Sequence, residues 1–280
     1  MISPVHTALT KTLAVIGNPI EHSMSPLIHG AAIAETGVDF SYVAYRVTDA
    51  AEAVRAMRAL GIRGFSVTIP HKETVIPHLD RLDESAKGCG SVNTIVNDNG
   101  TLTGYTTDGP GAVAALRAGG VDPAEKRVLI VGTGGAARAI SFALLSEGVS
   151  CIAFQAEVPA QAARLAHDLN AARPGVVVDR LPSPPDLLVN ASPVGMHPRT
   201  DALPVERSLL RSGMAVFDIV YNPIRTLLLK EAEALGCATI DGAGMFAEQA
   251  ALQFELFTGR PAPRELMRRT VRDALLSRQG

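Results

Sequence analysis

The chain has 280 residues, 47% of them hydrophobic, with 26 Lys and Arg against 28 Asp and Glu. That length suits two domains or one large one, and a net charge of only -2 without a basic run speaks against a nucleic-acid partner. Cys89, Cys151 and Cys237 are too far apart for a disulfide framework or a zinc site, so no metal is expected. No apolar window reaches membrane-spanning length, and the first ten residues do not read as a signal peptide. A cytoplasmic protein with free thiols, no membrane partner and a monomeric or homodimeric state is expected.

Short apolar runs alternate with helical stretches. LAVIG (13–17), FSYVAYRV (40–47), GFSVTI (64–69), VNTIV (92–96), RVLIVG (127–132), CIAF (151–154), VVVD (176–179), DLLVNA (186–191) and AVFDIV (215–220) read as strands. The alternation predicts an α/β fold with mostly parallel sheets covered by helices. VNTIV-NDNG-TLTGY turns at Asn99-Gly100, a hairpin signal that gives the first sheet an antiparallel edge. The helix-ending stretch GGVDPAEK (119–126) precedes a strand that opens a new sheet, and residues 244–280 read as helical. The expected division is 1–107 with 243–280 as a substrate-binding catalytic domain, and 108–242 as a Rossmann dinucleotide-binding domain.

RVLIVG-TGGAARAISFALL is strand, glycine turn and helix, and Gly132, Gly134 and Ala137 fit the G-x-G-x-x-A fingerprint. The first glycine allows the tight turn, the second lets backbone approach a pyrophosphate, and the small Ala137 permits close helix–strand packing. The next strand ends at Gln155-Ala156-Glu157, with no Arg or Lys to clamp a ribose 2′-phosphate. Glu157 stands about where a carboxylate could accept from a 2′-hydroxyl. NAD is therefore the favoured cofactor and NADP the alternative; a solvent-facing glutamate is the plainer account of Glu157.

Polar residues collect at strand ends. Ser23 and Ser25 precede Pro26 in GNPIEHSMSP, where one hydroxyl could cap a helix and the second needs another reason. GFSVTIPHKE puts Thr68 and Lys72 just after a buried strand. Lysine is usually a solvated surface group, but at the mouth of a sheet it is placed for proton transfer. His22 and His71 are more simply structural or solvent-facing. Asn93 falls in a strand interior, where an amide needs partners, and Asp108-Gly109 is either a cap or an acidic site.

Taken together, GNPIEHSMSP, GFSVTIPHKE, GSVNT, TTDG, GTGGAA, NASPVGM, DIVYNP and DGAGMFAEQA resemble the shikimate dehydrogenase family in order and spacing, over residues 12 to 259. The resemblance implies a substrate domain completed by the C-terminal helices, a Rossmann domain between, and reversible reduction of 3-dehydroshikimate to shikimate. It makes Lys72 and Asp108 the catalytic pair. Ser23, Ser25, Thr68, Asn93, Asp108, Tyr221 and Gln249 would bind substrate. Gly132, Gly134, Gly135, Ala136 and Ala137 would hold pyrophosphate, Gln155 and Glu157 would meet the ribose, and Asn190, Ser192, Gly244 and Met245 would lie by the nicotinamide, with Tyr221 on the same side. The chain departs from the family's usual pattern at Met24, Ser66 and Thr106, which bear on substrate preference, and at Gln155–Glu157, which bear on the cofactor. Alternatives are an NAD-dependent quinate or aminoshikimate dehydrogenase and, from another class, a non-catalytic metabolite sensor; retention of Lys72 and Asp108 speaks against the sensor.

Overall fold

The computed structural model describes residues 6–277. The chain divides into two units: unit 1 takes the chain up to Thr107 and Gln249–Val271, and unit 2 takes Asp108–Glu248 and the chain from Arg272. The chain returns to unit 1 at Gln249, inside a helix, rather than at the expected 243.

In unit 1, β1 (Lys11–Gly17), β2 (Phe40–Arg46), β3 (Gly64–Val67), β4 (Arg81–Leu82), β5 (Thr94–Asp98) and β6 (Thr101–Tyr105) form one sheet in the order β2-β1-β3-β5-β6-β4. β1 runs parallel to β2 and β3, while β3–β5 and β5–β6 are antiparallel. The predicted hairpin is present. Asp98 pairs with Thr101, and Asn99 and Gly100 both take positive φ, 53° and 93°, as a two-residue turn of the primed type requires. Helices α1 (Ser25–Thr36), α2 (Ala50–Ala59) and α3 (Glu84–Cys89) complete the first stretch.

β1 is buried along Leu13–Gly17, which explains its unbroken apolar run: helices cover both faces of a parallel strand. On one face Ala14, Ile16, Phe65 and Ile95 pack with Val54 and Met57 of α2. On the other, a Cβ added to Gly64 would meet the Phe257 ring at 2.3 Å, so only glycine lets that ring lie on the sheet.

Unit 2 begins with α4 (Asp108–Ala118). Its sheet, β7 (Arg127–Val131), β8 (Cys151–Gln155), β9 (Leu187–Asn190), β10 (Ala215–Asp218) and β11 (Ala238–Ile240), is wholly parallel in the order β11-β10-β9-β7-β8. Helices α5 (Gly135–Ser146), α6 (Pro159–Ala172) and α7 (Leu227–Ala234) belong to it, α8 (Gly242–Thr258) carries the unit boundary, and α9 (Arg264–Ser277) follows. The α/β class and the helical 244–277 stretch are as expected.

Two readings need correction. VVVD is not a strand but a single bridge, Ile152 to Val177. It is hemmed by Pro174-Gly175 before and Pro182, Pro184 and Pro185 after, and proline cannot supply ladder donors. Asn93 also lies just before β5 rather than inside a strand.

Candidate functional site

In unit 1 the strand directions gather the expected residues at one sheet edge. β1 and β3 are parallel, so the loops after both leave from the same edge, and Asn18 N–H donates to the Ile69 carbonyl at 2.9 Å there. β5 runs the other way, so its start reaches that edge, as Ser66 opposite Thr94 records. β6 ends there too, with Tyr105 opposite Thr94. The edge therefore carries Ser23 and Ser25 after β1, Thr68 and Lys72 after β3, Asn93 before β5, and Thr107 after β6.

Ser25 is the first residue of α1 and is buried; Met24 holds the cap position and no side chain caps the helix. Ser23 Oγ accepts from Ser25 N–H at 3.3 Å. The Ser25 hydroxyl is not spent on capping; it hydrogen-bonds the Tyr42 phenol. Thr68 packs its methyl where a Cβ on Gly17 would stand, at 2.4 Å, so the β1 exit and the β3 exit touch. Lys72 is half-buried, and its carbonyl accepts from Val92 N–H at 2.8 Å, which ties the lysine's turn to the Asn93 segment.

Asn93 is buried. Its Oδ1 accepts from Thr107 N–H at 2.9 Å and from Thr94 Oγ1 at 2.8 Å, while Nδ2 donates to Thr107 Oγ1 at 2.9 Å. Gln249 Oε1 lies 3.5 Å from the same Nδ2. Asp108 is the next residue after Thr107 and is buried at the first position of α4.

Gln253 and Tyr42, which the sequence reading did not single out, back this edge. Gln253 Nε2 donates to the Asn93 carbonyl and to Thr94 Oγ1, both at 3.0 Å, and its Oε1 accepts from Ser66 Oγ at 2.7 Å. Ser66 accepts in turn from Tyr42 Oη at 2.6 Å. Burial pushes the Tyr42 phenol up, against hydrogen bonds to Ser66 and Ser25 that pull it down. Gln253 sits four residues after Gln249, on the same helix face, and that spacing was the available signal.

His71 has a structural contact. It is buried, with Nε2 at 2.8 Å from the Val47 carbonyl, and so anchors the lysine's turn to the end of β2. His22 is exposed.

In unit 2 the parallel sheet puts the ends of β7, β8, β9 and β10 at one edge. Gly132 has φ 101°, and a Cβ on it would meet the Ala191 carbonyl at 2.7 Å, so both its conformation and its neighbours require glycine. Gly134 caps α5 in extended backbone, and a Cβ there would meet nothing within 4 Å. Gly135 and Ala136 open the helix, and Ala137 is fully buried against the sheet. An open glycine before a helix N-terminus with no side-chain cap fits a pyrophosphate.

At the end of β8, Gln155 spends its Nε2 on the Pro204 carbonyl at 2.9 Å, and Glu157 is exposed. Arg138 pairs with Asp168 and lies 5.7 Å from the Phe142 ring centroid. At the end of β9, Asn190 Oδ1 accepts from Ser192 N–H at 3.1 Å and from its hydroxyl at 2.7 Å. Tyr221 stacks on Phe246 at 5.0 Å. Gly244 N–H donates to Asp241, and Met245 packs into the unit's core.

Comparison with known proteins decides the family. The model of the shikimate dehydrogenase substrate binding domain matches residues 15–95, and that of the shikimate 5'-dehydrogenase C-terminal domain matches 242–272. The shikimate dehydrogenase (NADP(+)) of Moorella thermoacetica is 42% identical over 98% of this chain and 96% of its own. The chain belongs to the shikimate dehydrogenase family. A crystal structure of a shikimate dehydrogenase in complex with NADP+ is 36% identical, with a TM-score of 0.91 over 98% of this chain and 99% of that one. The Listeria monocytogenes shikimate 5-dehydrogenase, solved with shikimate and NAD, is 34% identical, with a TM-score of 0.86 over 94% of this chain and 97% of its own. Neither the quinate-type alternative nor the sensor is supported. The preference for NAD also fails here, because the curated relative is named for NADP(+) and the solved ones carry either cofactor. Among the described residues no His, Cys, Asp or Glu group could hold a metal ion, and no helix is long and apolar enough to cross a membrane.

Proposed function

We propose that this chain catalyses the reversible, nicotinamide-dependent reduction of 3-dehydroshikimate to shikimate. The observation that carries the reading is the edge of the unit 1 sheet, where Ser25, Thr68, Lys72 and Asn93 converge beside Gln249 and Thr107. A ring acid with several hydroxyls needs many hydroxyl and amide partners, and this edge offers them on rigid strand ends. The bound nicotinamide would supply or accept the hydride at the ring carbon. Lys72, as an ammonium, would stabilise the alkoxide that develops on the ring oxygen and give it a proton. Asp108 would be the acidic partner of the reaction. Its place in the chain, directly after the Thr107 that Asn93 grips, supports a fixed position for it. Ser23 and Ser25 would take the substrate carboxylate, and Thr68, Asn93, Tyr221 and Gln249 its hydroxyls.

The dinucleotide would lie along the unit 2 edge, its pyrophosphate at Gly132–Ala137 and its nicotinamide by Asn190, Ser192, Gly244 and Met245. In this reading unit 1 mainly handles substrate and unit 2 the cofactor. Both NAD and NADP are accepted, with preference within about tenfold. What supports this is that solved relatives carry either cofactor, which offsets the lack of a cation at Gln155–Glu157 for a 2′-phosphate. A cytoplasmic setting belongs to the same reading, with three buried free cysteines in support. Initial rates at the nicotinamide absorbance band, with shikimate or quinate and each cofactor, test substrate and cofactor together.

A further inference from the structure

Asp218 ends β10 fully buried, and none of the roles above uses it. Burying a carboxylate is costly unless hydrogen bonds replace its water. Three neutral donors do so, from two separate segments. Asn190 Nδ2, at the end of β9, donates to Oδ1 at 2.9 Å. The backbone N–H of Val220, next to Tyr221, donates to the same oxygen at 3.0 Å. Thr226 Oγ1 donates to Oδ2 at 2.6 Å and itself caps α7 through Leu229 N–H at 3.3 Å.

The consequence spreads through Asn190. With Nδ2 held by Asp218 and by the Val194 carbonyl at 3.1 Å, its Oδ1 is turned to Ser192. Ser192 Oγ then accepts from Val194 N–H at 3.3 Å. One carboxylate therefore sets the turn at 190–194 and the start of the 219–226 loop together. An apolar side chain at 218 could fill the same space but could not orient either segment.

We propose that Asp218 is a positioning residue for the dinucleotide, fixing the two loops of the unit 2 edge against which the nicotinamide half binds. The proposal rests on the reading that the Asn190–Ser192 turn and the Tyr221 loop meet the cofactor. It assigns Asp218 no contact with substrate or reacting atoms.

The test measures Kd for NADPH and NADH by cofactor fluorescence, alongside KM for shikimate and the melting temperature, in four variants of the full chain. Asp218→Ala should raise both cofactor Kd values about tenfold or more, 1.4 kcal/mol or more, and by more than it raises KM for shikimate at saturating cofactor. Asp218→Asn should return Kd to within about threefold of wild type, because its amide keeps an oxygen for Asn190 and Val220 and can donate to Thr226. Ser192→Phe puts a ring on the turn itself and should weaken cofactor binding if the turn meets the cofactor. Unchanged Kd in Asp218→Ala beside weakened binding in Ser192→Phe overturns the role of Asp218 alone. Unchanged Kd in Ser192→Phe overturns the reading of the loop, and the proposal with it. If Asp218→Ala does not fold, Thr226→Val decides: it removes one of the three donors, and an unchanged Kd there overturns the proposal.

Discussion

Asn93 and Thr107 grip each other at both ends of one amide: the Thr107 N–H donates to Asn93 Oδ1 at 2.9 Å, and Asn93 Nδ2 donates to Thr107 Oγ1 at 2.9 Å. The pair joins the start of β5 to the residue before Asp108. Asn93→Leu would leave a buried Thr107 N–H without its acceptor, at a cost of about 1–3 kcal/mol. Urea unfolding should show that loss, and KM for shikimate should rise with it. Stability within about 0.5 kcal/mol of wild type would mean that the grip is dispensable.

Lys72 is half-buried in a turn that other contacts already hold, so removing its side chain should spare the fold. Lys72→Ala is expected to lower kcat by ~100-fold to 10,000-fold, the usual range for a lost acid–base group. Cofactor Kd should stay close to wild type. Near-native kcat at saturating shikimate would remove Lys72 from the chemistry.

Parts of both sheet edges were readable because their signals are local. Asn99-Gly100 marked the hairpin, Gly132 and Gly134 marked a tight glycine turn before a helix, and the apolar run of β1 marked a strand. The rest depends on partners distant in sequence. Asn93 looked like a strand residue because Val92 and Ile95 flank it, and only the β5–β6 register shows it standing just outside. VVVD had strand composition, but prolines around it leave one bridge. Asp218 carried one legible sign, a carboxylate within an apolar strand. Its three donors come from residues 190, 220 and 226, and no sequence spacing reveals that they converge.

Ser25 is buried at the first turn of α1 without capping it, and Ser23 accepts from its amide. Replacing either by alanine should chiefly raise KM for shikimate and leave cofactor affinity alone. A lowered melting temperature with unchanged KM in both variants would make the hydroxyls structural.

Burial raises the Asp218 carboxyl from its usual range to about 6, against hydrogen bonds from Thr226, Val220 and Asn190 that pull it down. A carboxyl with a raised folded pKa adds stability that is full below its unfolded pKa, about 4. That contribution is lost as pH rises through about 6. Asp218→Asn has no such titration. The stability of the Asn variant relative to wild type should therefore increase between pH 4 and about 7, read by thermal melts across that range. A difference flat with pH would mean that Asp218 ionises normally in the fold.

The most direct test of the functional reading is the initial rate of nicotinamide reduction by the wild-type protein with shikimate, run with NADP+ and with NAD+ and repeated with quinate. Turnover of shikimate with both cofactors is expected, with kcat/KM values within about tenfold of each other, and with shikimate preferred over quinate. A folded protein that turns over quinate but not shikimate, or neither with either cofactor, would contradict the account.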